Sequence, residues 1–264
     1  MRLEGKTALV LGAAGKGNMG QVIARRLAAE GCNVVVGGRH EDALTQLAQE
    51  IGGAHALVDI TDKRQVDAAA DLAVSRFGRL DIGINATGWG LLKPTEETSE
   101  DDLDRILGIQ FKGPFFFIQA LLRTMTQGGS IIQISSATAT IMLEQHAAYM
   151  GTKAGIDHVI RTVANEYGER GIRANSISPG LTDTPMAGGT FQVPEMLGAF
   201  EREYPLGRCG TSEDIAAAAV WLASDECFMT GQNLQVNGGL TLRRNPSLRE
   251  LGEIAEKVTA HLRT

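Results

Sequence analysis

The feature that most constrains this chain is a rhythm. Short apolar runs, many of them β-branched, alternate with longer stretches of helical periodicity from Thr7 to about residue 236. The first run, Thr7–Leu11, ends in Gly12. Residues 21–30 then place Val22, Ile23, Leu27 and Ala28 on one helical face, with Gly31 as a stop. The runs at 33–36, 54–58, 81–85, 130–135, 173–178 and 233–236 read as further strands. Those at 41–51, 63–77, 100–124, 147–169 and 212–223 read as helices, with a kink expected at Gly113-Pro114. Strands separated by helices pair in parallel and are covered on both faces. Right-handed crossovers then wind the sheet both ways. The expectation is one α/β domain of about seven parallel strands with helices on both faces. Two segments stand outside the rhythm. One is 181–206, with Gly188-Gly189; the other is 243–264, where Leu248, Leu251, Ile254, Ala255 and Val258 have helical spacing.

The charge excludes some partners. A net charge of -6 gives no reason to expect nucleic acid or an anionic membrane. A phosphate-bearing ligand must therefore be held by a local device. The three cysteines, Cys32, Cys209 and Cys227, are odd in number and widely spaced, which suggests neither a disulfide framework nor a metal motif. With no signal-like apolar stretch after Met1 and no bilayer-length run, the expected location is cytoplasmic.

A local device is present. Between the first strand and the first helix lies Gly12-Ala13-Ala14-Gly15-Lys16-Gly17-Asn18-Met19-Gly20. Glycines let backbone approach a pyrophosphate, and the helix N-terminus offers free N–H groups and a positive dipole end. This strand–loop–helix setting marks a Rossmann-type dinucleotide site. The second strand ends Val36-Gly37-Gly38-Arg39. An acidic residue there would accept from a ribose 2′-hydroxyl, whereas an arginine suits a 2′-phosphate. NADP(H) is the expected cofactor.

Tyr149 and Lys153 stand four apart in a helical stretch, hence on one face. A free phenol is a poor base near neutrality, and a neighbouring ammonium favours its phenolate. In the reducing direction the same phenol donates a proton to a developing alkoxide. A Tyr-x-x-x-Lys string is common by chance, so Ser136 matters. It follows the fifth strand, at the sheet edge that opens onto the ligand crevice, and can hydrogen-bond a substrate oxygen.

Taken in order, these residues resemble the short-chain dehydrogenase/reductase family over about residues 5–240. The resemblance rests on the glycine loop, Asp59, Asn85-Ala86-Thr87-Gly88, Ser136 thirteen before Tyr149, Tyr149-Met150-Gly151-Thr152-Lys153, and Pro179-Gly180-Leu181-Thr182-Asp183-Thr184. Pro205-Leu206-Gly207-Arg208 and Val236-Asn237-Gly238-Gly239 add to it. It implies that Tyr149 is the acid/base, that Lys153 binds the nicotinamide ribose and tunes Tyr149, and that Ser136 positions the carbonyl. Asp59 would meet the adenine, with Ile60 beside it. Gly12, Asn18, Met19, Gly20, the backbone of Asn85, Ala86 and Gly88, and Pro179, Gly180, Thr182 and Thr184 would complete the cradle. Residues 1–240 would form the catalytic domain, with a substrate lid at about 181–206, and 241–264 a C-terminal helical extension. The partner would be a small carbonyl or alcohol with an apolar body, near Trp89 and the lid's Met186, Phe191, Val193, Met196, Leu197, Phe200 and Tyr204. Family members are commonly homotetramers.

Three departures stand out. The glycine loop is longer than usual and has Asn18 at a glycine position. Asn85-Ala86-Thr87-Gly88 replaces Asn-Asn-Ala-Gly. The family's fourth catalytic residue, an asparagine that helps a water link the lysine to solvent, is Gln110. The long loop is similar to that of enoyl reductases, a branch whose tyrosine and lysine lie further apart. A sensor that kept the fold and lost turnover is the alternative of another class.

Overall fold

The computed structural model describes residues 1–261. Seven parallel strands form one sheet in the order β3-β2-β1-β4-β5-β6-β7. They are β1 (Thr7–Leu11), β2 (Asn33–Gly38), β3 (Ala54–Leu57), β4 (Ile82–Asn85), β5 (Gly129–Ile134), β6 (Ile172–Pro179) and β7 (Asn233–Val236). Both faces of β1 are buried because Ala8 and Val10 point one way while Leu9 and Leu11 point the other. The first face carries α1 (Met19–Ala29), α2 (Glu41–Glu50) and α8 (Ser212–Ala223), whose Ile23, Leu27, Leu44, Leu47 and Ile215 join that core. The second carries α3 (Lys63–Phe77), α5 (Gly113–Thr124) and α6 (Ala147–Tyr167), through Val66, Phe117, Leu121, Ile156 and Ile160.

Register sets the site. Leu11 pairs with both Gly37 and Asn85, and Asn85 pairs with Gln133. The carboxyl ends of β2, β1, β4 and β5 are therefore level. The order reverses between β1 and β4, which opens a crevice there.

The expected helix at 100–124 is three pieces. α4 (Glu100–Leu107) starts at a Ser99/Asp102 capping box. A π-helical turn, Gly108–Lys112, follows, and the Gly113 N–H donates to the Gly108 carbonyl five residues back. Pro114 has no N–H to give, and widening the turn reconciles it with a continuous path into α5. Other boundaries move by one or two residues.

The two segments outside the rhythm meet each other. Residues 181–206 contain a 3₁₀ stretch, Pro185–Gln192, and α7 (Pro194–Glu201). The tail forms α9 (Leu248–His261), and residues 262–264 of the expected extension lie outside the described residues. Arg243 donates to the Arg202 carbonyl at 2.6 Å, and Arg244 pairs with Glu203 at 3.3 Å. On the other side Asn245 donates to the Met142 carbonyl at 3.0 Å and the Leu248 N–H to Glu144 at 2.6 Å. The chain after Arg243 thus straps α7 to the 142–144 loop.

One glycine is demanded by the crevice. Gly12 has φ +89°, and a Cβ there would stand 2.6 Å from the Ala86 carbonyl carbon. Gly12→Ala is expected to lower unfolding free energy by at least about 2 kcal/mol. Gly252→Ala, in open space on α9, should be neutral or stabilising by about 0.5–1 kcal/mol. Urea midpoints of the two variants check this.

Candidate active site

The phosphate-facing end of the crevice is built from backbone. Gly12 lies against Ala86 and Thr87, and a Cβ at Gly20 would stand 2.5 Å from the Gly12 carbonyl oxygen. Asn18 caps α1: its carbonyl accepts from the Gln21 N–H at 3.0 Å, and its amide donates to the Gly12 carbonyl at 2.7 Å. A backbone N–H only donates and a carbonyl only accepts, so the amide's orientation is fixed. Asparagine at this position therefore braces a longer loop. Met19 opens α1, and no acidic residue occupies its first turn to oppose an anion.

The flanks of the crevice are more mixed. Arg39 is exposed just past β2. Asp59 accepts from the Thr61 N–H at 2.9 Å and its hydroxyl at 2.7 Å. Those bonds, aided by the charge of Arg39, hold its carboxyl below the usual range. The Ile60 side chain belongs to the core, which leaves only its backbone for a ligand. Asn85 is turned inward: it donates to Gln133 at 2.9 Å and accepts from Thr87. Its side chain braces the β4 loop, leaving the backbone of Ala86 and Gly88 to the crevice. At the end of β6, after Pro179, the Thr182 hydroxyl donates to the Gly180 carbonyl at 3.0 Å, and Thr184 lies within 3.4 Å of the Thr182 carbonyl.

Tyr149, Lys153 and Ser136 meet where α6 passes the end of β5. Lys153 is buried and donates to the Ile134 carbonyl at 2.9 Å. Its ammonium lies 5.6 Å from the centre of the Tyr149 ring. Burial pulls Lys153 down to about 8. Tyr149 is half-buried, and loss of water pushes its phenol up, partly opposed by a hydrogen bond with Ser136. The fall towards neutrality expected from the sequence needs the charge of an oxidised nicotinamide beside the ammonium; desolvation by itself leaves the phenol a proton donor across the neutral range. The Ser136 hydroxyl shares a 2.8 Å bond with Thr138 and accepts from the Thr138 N–H at 3.2 Å.

Gln110 sits in the π-helical turn, 2% exposed. It accepts from the Trp89 N–H at 3.0 Å and donates to the Thr152 hydroxyl at 2.8 Å. Thr152 gives its own proton to the Tyr149 carbonyl at 2.7 Å. The glutamine thus ties the Trp89 loop to the catalytic helix, and both ends of its amide meet protein groups. It holds the site in shape. The extra methylene supplies that reach.

The substrate side is narrower than the apolar inventory of the lid implies. Phe191, Leu197 and Phe200 pack around Tyr204 and Leu240 in a small core of their own. Met186 is exposed and approaches Gly88 and Gly90, next to Trp89, whose ring lies 4.0 Å beneath Arg105. Sequence reasoning missed Thr138, Thr152 and His146. The His146 ring is 5.2 Å from that of Tyr149. It follows Gln145, the non-glycine residue with positive φ (59°) among the described residues. Histidine three before the tyrosine on a helix was a signal available beforehand.

The Gln110 bridge is testable through stability. Leaving the Trp89 N–H and Thr152 without it should lower unfolding free energy by about 1–3 kcal/mol in Gln110→Leu, with a smaller loss in Gln110→Asn. Denaturant titration of both variants measures this.

The chain matches a family model described as Enoyl-(Acyl carrier protein) reductase over residues 12–241. It is 38% identical over 250 residues to a D-threitol dehydrogenase of Mycolicibacterium smegmatis, covering 92% of this chain and 95% of that one. It is 38% identical over 252 residues to 3beta-hydroxysteroid dehydrogenase 1 of Eggerthella lenta, with 91% and 95% covered. Among solved structures it is similar to a short-chain type dehydrogenase/reductase from Mycobacterium ulcerans, with a TM-score of 0.90, 30% identity and 96% of each chain covered. Among the described residues no helix is long and apolar enough to cross a membrane.

Proposed function

The chain belongs to the short-chain dehydrogenase/reductase family, and on that footing we propose that it is an NADP(H)-dependent oxidoreductase interconverting a secondary alcohol and a ketone, with Tyr149 as the general acid/base. The observation that carries the reading is the meeting of α6 with β5. Tyr149, Lys153 and Ser136 stand together at the edge of the sheet where Gly12 and Ala86 line the crevice. Relatives that act on a polyol and a steroid support a CH–OH substrate.

The residues divide the work. Gly12, Asn18, Met19 and Gly20 form a cradle suited to a pyrophosphate, because its glycines let backbone pack where no side chain fits and α1 starts there without an acidic first turn. Arg39 would hold a 2′-phosphate, and Asp59 and the Ile60 backbone would flank the adenine. The backbone of Asn85, Ala86 and Gly88, with Pro179, Gly180, Thr182 and Thr184, would border the nicotinamide. When bound, that group supplies or accepts the hydride. Ser136 turns its hydroxyl from Thr138 to the substrate oxygen. Tyr149 gives that oxygen its proton in reduction and takes it back in oxidation. Lys153 stabilises the phenolate left behind and donates to the ribose. Gln110 keeps Trp89 and the helix in register.

Residues 1–240 make the catalytic domain, with 181–206 as the lid and 241–264 as a C-terminal extension strapping it. The protein works in the cytoplasm as a homo-oligomer, a reading supported by exposed Leu103, Leu107 and Phe115 on α4 and α5. A second reading, reduction of an enoyl thioester, is favoured by the description of the matching family model. The four-residue step from Tyr149 to Lys153 speaks against it.

The test is NADPH and NADH oxidation with steroid, cyclic, polyol-derived and enoyl-thioester acceptors. Ketones should be reduced, with NADPH preferred. Arg39→Ala should weaken NADPH alone by about 1.5–3 kcal/mol, or one to two decades. Tyr149→Phe should lower kcat by about 10²- to 10⁴-fold while NADPH still binds. Equal use of the two cofactors would defeat the NADP assignment. Full activity in Tyr149→Phe would defeat the catalytic one.

A further inference from the structure

We propose that Asp157 is a positioning residue for this acid–base pair, its fixed carboxylate keeping the Lys153 ammonium charged and in place beside Tyr149. The inference rests on the reading above. Tyr149, Lys153 and Asp157 fall four apart along one face of α6. Three consecutive residues at the end of β5 meet them. The Ile134 carbonyl takes the Lys153 ammonium, the Ser135 hydroxyl donates to Asp157 at 2.8 Å, and Ser136 bonds Tyr149. The catalytic helix is thereby stitched to the catalytic strand at successive positions.

The carboxylate is held from the neighbouring strands too. Asn233, at the start of β7, donates to the same Asp157 oxygen at 2.6 Å. Gln235 donates to Asn233 at 3.1 Å, and Asn237 to Gln235 at 2.9 Å. The three amides step along β7 with every donor pointing towards Asp157, so each bond polarises the next. The Ser176 hydroxyl of β6 and the second Asp157 oxygen, Oδ1, are buried without a hydrogen-bond partner. Burial pushes the Asp157 carboxyl up, and the donors that converge on it, with the Lys153 charge, oppose that rise and favour its charged form. The residue is half-buried, with Oδ1 out of contact with solvent.

That charge stands one helical turn along α6 from the buried Lys153. The group that β5 gives to the Lys153 ammonium, the Ile134 carbonyl, is neutral. Tyr149 and Asp157 are the titratable neighbours, and Asp157 is the charge that opposes the effect of burial on Lys153. An ammonium withdrawn from water with no counter-charge discharges. Uncharged, Lys153 would neither donate fully to a ribose nor support a phenolate.

Asp157→Asn separates charge from shape, because its amide oxygen still accepts from Ser135 and Asn233. The full-length protein is titrated by NMR of the lysine ε-carbons, with Lys153 assigned from Lys153→Met. Removing the negative charge favours proton loss from the ammonium, so Lys153 should titrate lower in Asp157→Asn by roughly one unit. The alkaline limb of kcat/KM for ketone reduction should move down with it. An unchanged Lys153 titration in a folded Asp157→Asn protein would overturn the inference and reduce Asp157 to a structural role. If Asp157→Asn fails to fold, the same change is made in Lys153→Met. Recovery of folding there supports the coupling, and failure there overturns it. A shifted titration in a protein that reduces no ketone would uphold the Asp157–Lys153 coupling and defeat the proposed function instead.

Discussion

A buried ammonium must find an acceptor, and Lys153 finds the carbonyl of Ile134 at the last residue of β5. The rest of the site depends on that contact. It fixes the rotation of α6 about its own axis, and with it the height of Tyr149 above the sheet. It also fixes the distance from the helix to the level strand ends, where Gly12 and Ala86 lie close enough to exclude side chains. The sheet supplies direction: parallel strands deliver every loop at one edge. The lysine supplies registration between that edge and the helix that crosses it.

Around this anchor the structure is tied together in two ways. Gln110 binds the Trp89 loop to Thr152, and the π-helical turn gives it that place. The lid is held differently. Its α7 side is tied to the C-terminal segment through Arg243 and Arg244, and that segment reaches back to Met142 and Glu144. These bonds lie at the exposed surface, where ion pairs contribute little and yield readily.

Much of this was legible in the sequence because its signals are local. Seven apolar runs gave seven strands, since a strand buried on both faces has little freedom of composition. Tyr149 and Lys153 were legible through helical spacing, and the glycine loop through the conformations that only glycine adopts. What escaped depends on contacts distant in sequence. The π-helical turn reflects a compromise between Pro114 and packing that periodicity does not record. Nothing nearby announces Trp89 and Thr152, 21 and 42 residues away, as the partners of Gln110. The effect of burial on the Tyr149 phenol is a property of the assembled site. Of the two places the sequence leaves open for Phe191, Leu197 and Phe200, a substrate wall or a packed core, they join a small core around Tyr204.

The central claim is that one crevice brings a hydride donor and the Tyr149 proton to the same carbonyl. Its most direct test follows the two hydrogens separately, using NADPH deuterated at carbon 4 and a ketone substrate in ordinary water. The account predicts one deuterium on the carbinol carbon of the product with wild type, and loss of that transfer in Tyr149→Phe despite intact NADPH binding. Bound NADPH that never delivers deuterium to any ketone, or equal delivery by Tyr149→Phe, would contradict it.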